Sequence, residues 1–273
     1  MGIVDSHVHL LPSPLADKVR AFFEAHISRE LVYPIEHRAV LDALARAGVV
    51  EVWSLPYSHN REIAAGLNAA SAETVQALAA HPVRVIGGAT IHPEDEAPER
   101  LLREAFEHHR LRVLKLHCSV GKFDADDQRL DPTWAFVTAH RIPVVVHLGH
   151  ATSGHTRGEE LLPVARVAER FPEARVIIAH CGHPAMDQAL DLVERHAQVY
   201  ADLTPVVADP VRPAAERIVR VAHKLLFGSD APNVAIPVEQ SIAALRALAL
   251  GPEVENDLFG GTARRLVAAV AVA

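Results

Sequence analysis

Eight short apolar runs, each followed by a helical stretch, predict an α/β fold: a single (β/α)8 TIM barrel built from the 273 residues. Two further observations favour the closed form. The runs lack the polar alternation of half-exposed strands, as expected when both faces of a parallel sheet are covered. The rival, an open doubly wound sheet, would carry a glycine-rich dinucleotide fingerprint after its first strand, and none follows here. No linker, low-complexity run or second domain breaks the rhythm, so residues 1–273 read as one domain.

The first strand lies in Gly2-Ile3-Val4-Asp5-Ser6-His7-Val8-His9-Leu10. Residues 12–34, with two prolines near the start, decorate the barrel as a long loop with a helical piece at 15–25. Residues 36–47 are helical, and Gly48 is placed to stop that helix. Strand two covers 49–55 and ends at Pro56. An Ala-rich helix at 60–80, a strand at 83–91, an amphipathic helix at 94–110 and a strand at 112–117 complete the first half. In the second half, helices at 132–140, 159–171, 184–196 and 210–223 alternate with strands at 143–148, 175–180, 199–203 and 224–228. Helical stretches near 237–250 and 253–270 close the chain, the last as an extra C-terminal helix.

Bulk composition narrows the partners. Hydrophobic residues at 49% and charged residues at 22% suit a soluble globular protein. A net charge of -7 argues against a nucleic-acid or anionic-membrane surface and leaves a small-molecule substrate as the expected partner. The two cysteines, Cys118 and Cys181, form no disulfide framework and read as small packing residues of a reducing, cytoplasmic compartment. No basic segment followed by an apolar run opens the chain, so no secretory leader is expected. The apolar tail, 266–273, is far too short to span a bilayer.

The 18 histidines are the compositional oddity, and position separates them. His7 and His9 are two apart on a strand and project together, a ready pair of ligands for a cation such as Zn2+, or else two polar residues on a solvated face. Barrel active sites lie where the strands end. Strand four ends in Lys115-Leu116-His117, strand five in His147, strand six in His180 and strand eight in Asp230. On strand four, Lys115 and His117 should face the barrel axis while Leu114 and Leu116 face the helices; on strand six, Ile178 and His180 should share a face. A lone Asp230 after Gly-Ser could equally cap the next helix. Five such groups, His7, His9, His147, His180 and Asp230, at matching strand ends are much harder to place there by chance. Tyr57, His59, His92 and Arg157 are further candidates around the mouth, although His92-Pro93 also reads as a turn opening a helix. His150 and His155 either bind substrate or decorate the loop after strand five.

With these residues in place the sequence resembles the amidohydrolase superfamily, and within it the amidohydrolase-2 branch containing aminocarboxymuconate semialdehyde decarboxylase and related metal-dependent hydrolases. The matching features are Asp5–His9, Lys115-Leu116-His117, His147, His180-Cys181-Gly182, Phe227-Gly228-Ser229-Asp230 and the closing Gly261-Thr262-Ala263-Arg264-Arg265-Leu266. The chain departs from the branch in having Cys118 where a proline often follows Lys-Leu-His.

The resemblance implies one divalent metal, Zn2+ or else Mn2+, held by His7, His9, His147 and Asp230. It makes His180 the general acid/base, with Asp230 also orienting the reacting water. It implies a hydrolase of a small-molecule amide, ester or lactone using a metal-activated water. The alternative is a non-oxidative metal-dependent decarboxylase or hydratase of an unsaturated or aromatic acid. A non-catalytic binding barrel is a third possibility, which would need neither a proton shuttle nor a vacant coordination position. Lys115 is carboxylated and bridges two metals in other branches; here it could instead bind a substrate carboxylate, or pair with an acid inside the barrel. His117, Tyr57 and His92 are the other substrate-binding candidates. Relatives of this kind often self-associate, so a homo-oligomer is also expected.

Overall fold

Strand order in the sheet is β1-β2-β3-β4-β5-β6-β7-β8, all neighbours parallel. A computed structural model of the chain describes residues 2–26, 29–148, 158–204 and 213–272. The strands are β1 (Ile3–Val8), β2 (Val49–Ser54), β3 (Arg84–Thr90), β4 (Val113–His117), β5 (Val144–His147), β6 (Val176–Ile178), β7 (Val199–Asp202) and β8 (Leu225–Leu226). Beyond the short β8 the chain stays beside β1 and brings the ends of the sheet together. The Ser6 amide donates to the Phe227 carbonyl (2.9 Å), the Asp230 amide to that of His7 (2.8 Å) and the His9 amide to that of Ala231 (2.8 Å). The fold is a single (β/α)8 barrel, as the sequence predicts.

Two cores follow from the period-two pleat. Val4, Trp53, Ile86, Val113, Val145 and Ile177 fill the barrel, which Ala263 and Leu266 of the closing helix Thr262–Ala268 plug at one end. The alternate residues, such as Val52, Leu114, Val144 and Val176, pack outward with helix residues such as Leu44, Trp134 and Val164. Val113 inward sets Lys115 and His117 inward, and Val145 does the same for His147. β1 breaks this alternation: Val4 belongs to the inner core and Val8 to the outer shell, with a register shift between Asp5 and Val8.

The decoration after β1 holds two helices, Ser13–His26 and His37–Arg46. Glu36 caps the second by accepting from the amides of Arg38 and Ala39. Arg20 latches this excursion to the barrel rim by donating to the carbonyls of Tyr33 (2.9 Å) and Pro232 (3.1 Å). Several helices are shorter than the sequence suggests. The 60–80 helix is Ala64–Ala77. The 94–110 helix is Pro98–Arg103 running into a π-turn at Glu104–His108. The closing helix is interrupted by a second π-turn at Asp257–Gly261, where Gly260 takes φ 150°. No helix among the described residues is long and apolar enough to cross a membrane.

Candidate metal centre

The site begins with the backbone of β1 and the chain after β8. Asp5 Oδ1 accepts from the amides of His7 (3.2 Å) and Ser229 (2.9 Å), so one buried carboxylate ties the two segments together. Burial pushes this carboxyl up to about 7. Gly228 permits the close approach: a Cβ there would lie 2.0 Å from Thr204 Oγ1 and 2.7 Å from His7 Cβ. Asp230 then adopts a left-handed φ of 63°. Its Oδ1 comes to rest 3.1 Å from His9 Nε2 and 3.7 Å from His7 Nε2.

Hydrogen bonding fixes which nitrogen of each ring carries the proton. His9 Nδ1 must donate to the Leu55 carbonyl (2.7 Å), because a carbonyl only accepts. His7 Nδ1 donates to Asp202 Oδ2 (3.0 Å), and Lys115 Nζ donates to His7 Nε2 (3.1 Å). His180 Nδ1 donates to the Thr204 carbonyl (2.6 Å), which leaves its Nε2 to accept from His147 Nδ1 (3.1 Å). His147 Nε2 is then a buried lone pair without a partner among the described residues. Burial, reinforced by the charge on Lys115, lowers His7 to about 3, and burial likewise takes His147 and His117 well below their usual range. These rings are neutral. Burial works against the Asp230 charge, but the bond to His9 and the neighbouring His180 and His7 rings hold this carboxyl well below its usual range.

Six rings close a circle around the mouth. His7 contacts His9 (5.2 Å between centroids), His9 contacts Tyr57 (5.4 Å), and Tyr57 contacts His117 (4.9 Å). His117 stacks on His147 (3.9 Å), His147 meets His180 (4.8 Å), and His180 returns to His7 (4.9 Å). Lys115 is fully buried beside this circle, and burial lowers its ammonium to about 8.

The structure therefore brings together His7, His9, His147, His180, Asp230, Lys115, His117 and Tyr57. His180 arrives by a route that parity does not give. Ile178 faces the outer shell, and the strand ends there. His180, Cys181 and Gly182 follow with left-handed φ of 54°, 48° and 62°, and this turn swings the imidazole into the mouth. The expectation that Ile178 and His180 share a face is thus corrected. His92 is not free for substrate either: its Nδ1 accepts from the Glu94 amide (3.2 Å) and its Nε2 donates to the Gly121 carbonyl (3.1 Å). No described carboxylate lies within ion-pair distance of Lys115, so the pairing with a barrel acid is not realised. His150, His155 and Arg157 fall outside the described residues. Asp202, which the sequence reading passed over, is buried at the heart of the site.

The donor set fits a divalent cation. His7, His9 and Asp230 bring ligand atoms within 4.8 Å of one another. His7 Nε2 presents a lone pair to the Asp230 carboxylate, and His9 Nε2 presents a second once its proton is displaced, an arrangement that calls for positive charge. The Lys115 ammonium already stands at His7 Nε2 as a partial stand-in. The orphaned His147 Nε2 adds a fourth candidate donor. A second triplet within 4.8 Å, His7, His180 and Asp202, is joined by N–H···O bonds, from His7 Nδ1 to Asp202 Oδ2 and from the His180 amide to Asp202 Oδ1 (2.9 Å), and offers no comparable set of free lone pairs.

The chain is similar to an uncharacterised TIM-barrel protein from Bordetella bronchiseptica, with 19% identity, 99% of each chain covered and a TM-score of 0.78. It is similar to 5-carboxyvanillate decarboxylase LigW from Sphingomonas paucimobilis, with 15% identity, 98% of this chain and 99% of that one covered, and a TM-score of 0.71. It is also similar to 4-oxalomesaconate hydratase LigJ from Rhodopseudomonas palustris, with 18% identity, 98% and 96% covered, and a TM-score of 0.64. No curated relative matches the chain. The amidohydrolase family profile matches residues 4–268, nearly the whole barrel, and the chain belongs to the amidohydrolase family, in its amidohydrolase-2 branch.

Proposed function

We propose that this chain is a metal-dependent hydrolase of a small-molecule amide, ester or lactone, with one divalent cation held by His7, His9, His147 and Asp230. The observation that carries the proposal is the tautomer pattern. Each of the three imidazoles has its Nδ1–H committed, to Asp202, to the Leu55 carbonyl and to His180, which turns the Nε2 lone pair outward as a ligand. Three imidazole nitrogens with one carboxylate suit Zn2+, and Mn2+ is also compatible. Held there, a divalent cation would supply Lewis acidity for polarising a carbonyl and making water reactive near neutral pH.

The chain's own residues do the proton work. His180 Nε2, fixed as a lone pair by the Thr204 carbonyl behind it, exchanges the His147 N–H for the O–H of a water and takes that proton. It returns the proton to the leaving group. Asp230 Oδ1 accepts from the same water and aims it. Lys115, buried with no carboxylate partner among the described residues, meets a carboxylate of the substrate. Two metals per chain, with loss on CO2 removal, would instead support a carboxylated, bridging Lys115.

A second reading, a decarboxylase or hydratase of an unsaturated or aromatic acid, is favoured by the likeness to the decarboxylase and the hydratase. Both reactions use the same residues, but proton delivery to carbon requires His180 to start protonated. The site as built presents acceptors, which is why hydrolysis is preferred.

The test is a screen of lactones, esters, amides and aromatic acids on the metal-loaded protein, with CO2 and product both followed. Hydrolysis without CO2 release supports the first reading, and C–C cleavage with CO2 release selects the second. His180→Asn is expected to abolish turnover while metal content survives; full activity in this variant would remove His180 from the chemistry.

A further inference from the structure

We infer that Asp202, at the inward end of β7, is a positioning residue that sets the proton on His7 and seats His180 with a single carboxylate. The inference rests on the reading of His7 as a ligand and His180 as the base, and extends it to a residue that touches neither metal nor substrate. Asp202 is 1% exposed, and both of its oxygens are used. Oδ2 accepts from His7 Nδ1 at 3.0 Å. Oδ1 accepts from the amides of His180 (2.9 Å) and Thr204 (3.2 Å). The first bond forces the His7 proton onto Nδ1 and turns Nε2 to the centre as a lone pair. Lys115 Nζ, 3.1 Å from that Nε2, reports the same tautomer independently, because an ammonium only donates.

The second oxygen works on the backbone. The left-handed run at His180, Cys181 and Gly182 is unfavourable for the two non-glycine residues. Asp202 Oδ1 receives the amide at the start of that run and, two residues along its own strand, the amide of Thr204. The Thr204 carbonyl in turn receives His180 Nδ1–H at 2.6 Å. One side chain thus spans the β6 turn, the β7 end and the first ligand of β1.

An isosteric replacement separates this from simple packing. In Asp202→Asn, the amide oxygen must face the two backbone N–H groups, because an NH2 there would oppose two donors. The NH2 then faces His7 Nδ1, which has to become an acceptor. The His7 proton moves to Nε2, the ligating atom, where Lys115 Nζ must give up a proton and accept or draw back from its 3.1 Å contact, while the His180 ring keeps its bond to Thr204. A generic loss of structure would disturb both rings or neither.

The experiment is 15N NMR of imidazole-labelled apo protein, wild type and Asp202→Asn, with the His7 and His180 signals assigned by their loss in His7→Asn and His180→Asn. It is paired with zinc affinity measured by chelator competition. Wild type is expected to show Nδ1–H on both rings. Asp202→Asn is expected to move the proton of His7 alone and to weaken zinc binding by about 10–100-fold. A wild-type His7 protonated on Nε2 overturns the inference, and this does not require Asp202→Asn to fold. So does an Asp202→Asn protein in which the His7 tautomer or the zinc affinity is unchanged. If wild type binds no zinc, the metal reading itself fails, and the apo tautomers still decide the role of Asp202.

Discussion

A methyl group at position 228 would collide with Thr204 Oγ1 and His7 Cβ, at 2.0 and 2.7 Å, so the approach of the post-β8 chain to β1 depends on a missing side chain. Gly228→Ala is expected to destabilise the apo protein by about 1–3 kcal/mol, as overpacking does, and to weaken zinc binding by moving His7. Chemical denaturation and chelator competition measure the two effects; an unchanged midpoint with unchanged affinity would contradict the account. At this scale much of the site was legible. His7 and His9 follow from a two-residue spacing, and Lys115, His117 and His147 from inward parity. Asp202 obeys the same parity, two residues beyond the partly buried Tyr200 of the inner core, but a lone acid in Val199-Tyr200-Ala201-Asp202 carries no ligand spacing of its own. His180 was found as a strand-end imidazole, yet its direction depends on a left-handed turn at non-glycine residues, which periodicity does not encode.

The helix Ala64–Ala77 shows how an element outside the barrel supports the rim. Asn68 Nδ2 donates to the Thr90 carbonyl (3.1 Å) and its Oδ1 accepts from the Thr90 amide (2.8 Å), closing both backbone groups at the end of β3. Thr90 Oγ1 carries the connection on, donating to the Lys115 carbonyl (3.0 Å) and accepting from the Ser58 amide (2.9 Å). Asn68→Ala leaves a buried N–H and C=O unpaired and is expected to cost about 1–3 kcal/mol in urea denaturation. A midpoint equal to wild type would show that water or a relaxed backbone replaces the side chain. Element order and type were readable from the sequence because each strand is a compact apolar run. Helix ends were not: Asn60-Arg61-Glu62-Ile63 reads as the start of the 60–80 helix, but Glu62 takes a left-handed φ of 69° and the helix starts at Ala64. The π-turns at Glu104–His108 and Asp257–Gly261 likewise leave no signature in a 3.6-residue repeat.

The whole molecule separates stability from chemistry along the barrel axis. The end plugged by Ala263 and Leu266 is apolar; the other end gathers the imidazoles and Asp230. Leu266→Ala is expected to lower stability by about 2–5 kcal/mol while the folded protein keeps its zinc affinity. A parallel loss of affinity would mean that the two ends are coupled. The central claim is that distant segments of the chain converge on one cation, and zinc titration of the apo protein tests it most directly. Wild type is expected to bind one equivalent per chain, and His9→Asn and Asp230→Asn to lose that site while remaining folded. Binding of equal strength in Asp230→Asn, or no binding in wild type, would contradict it.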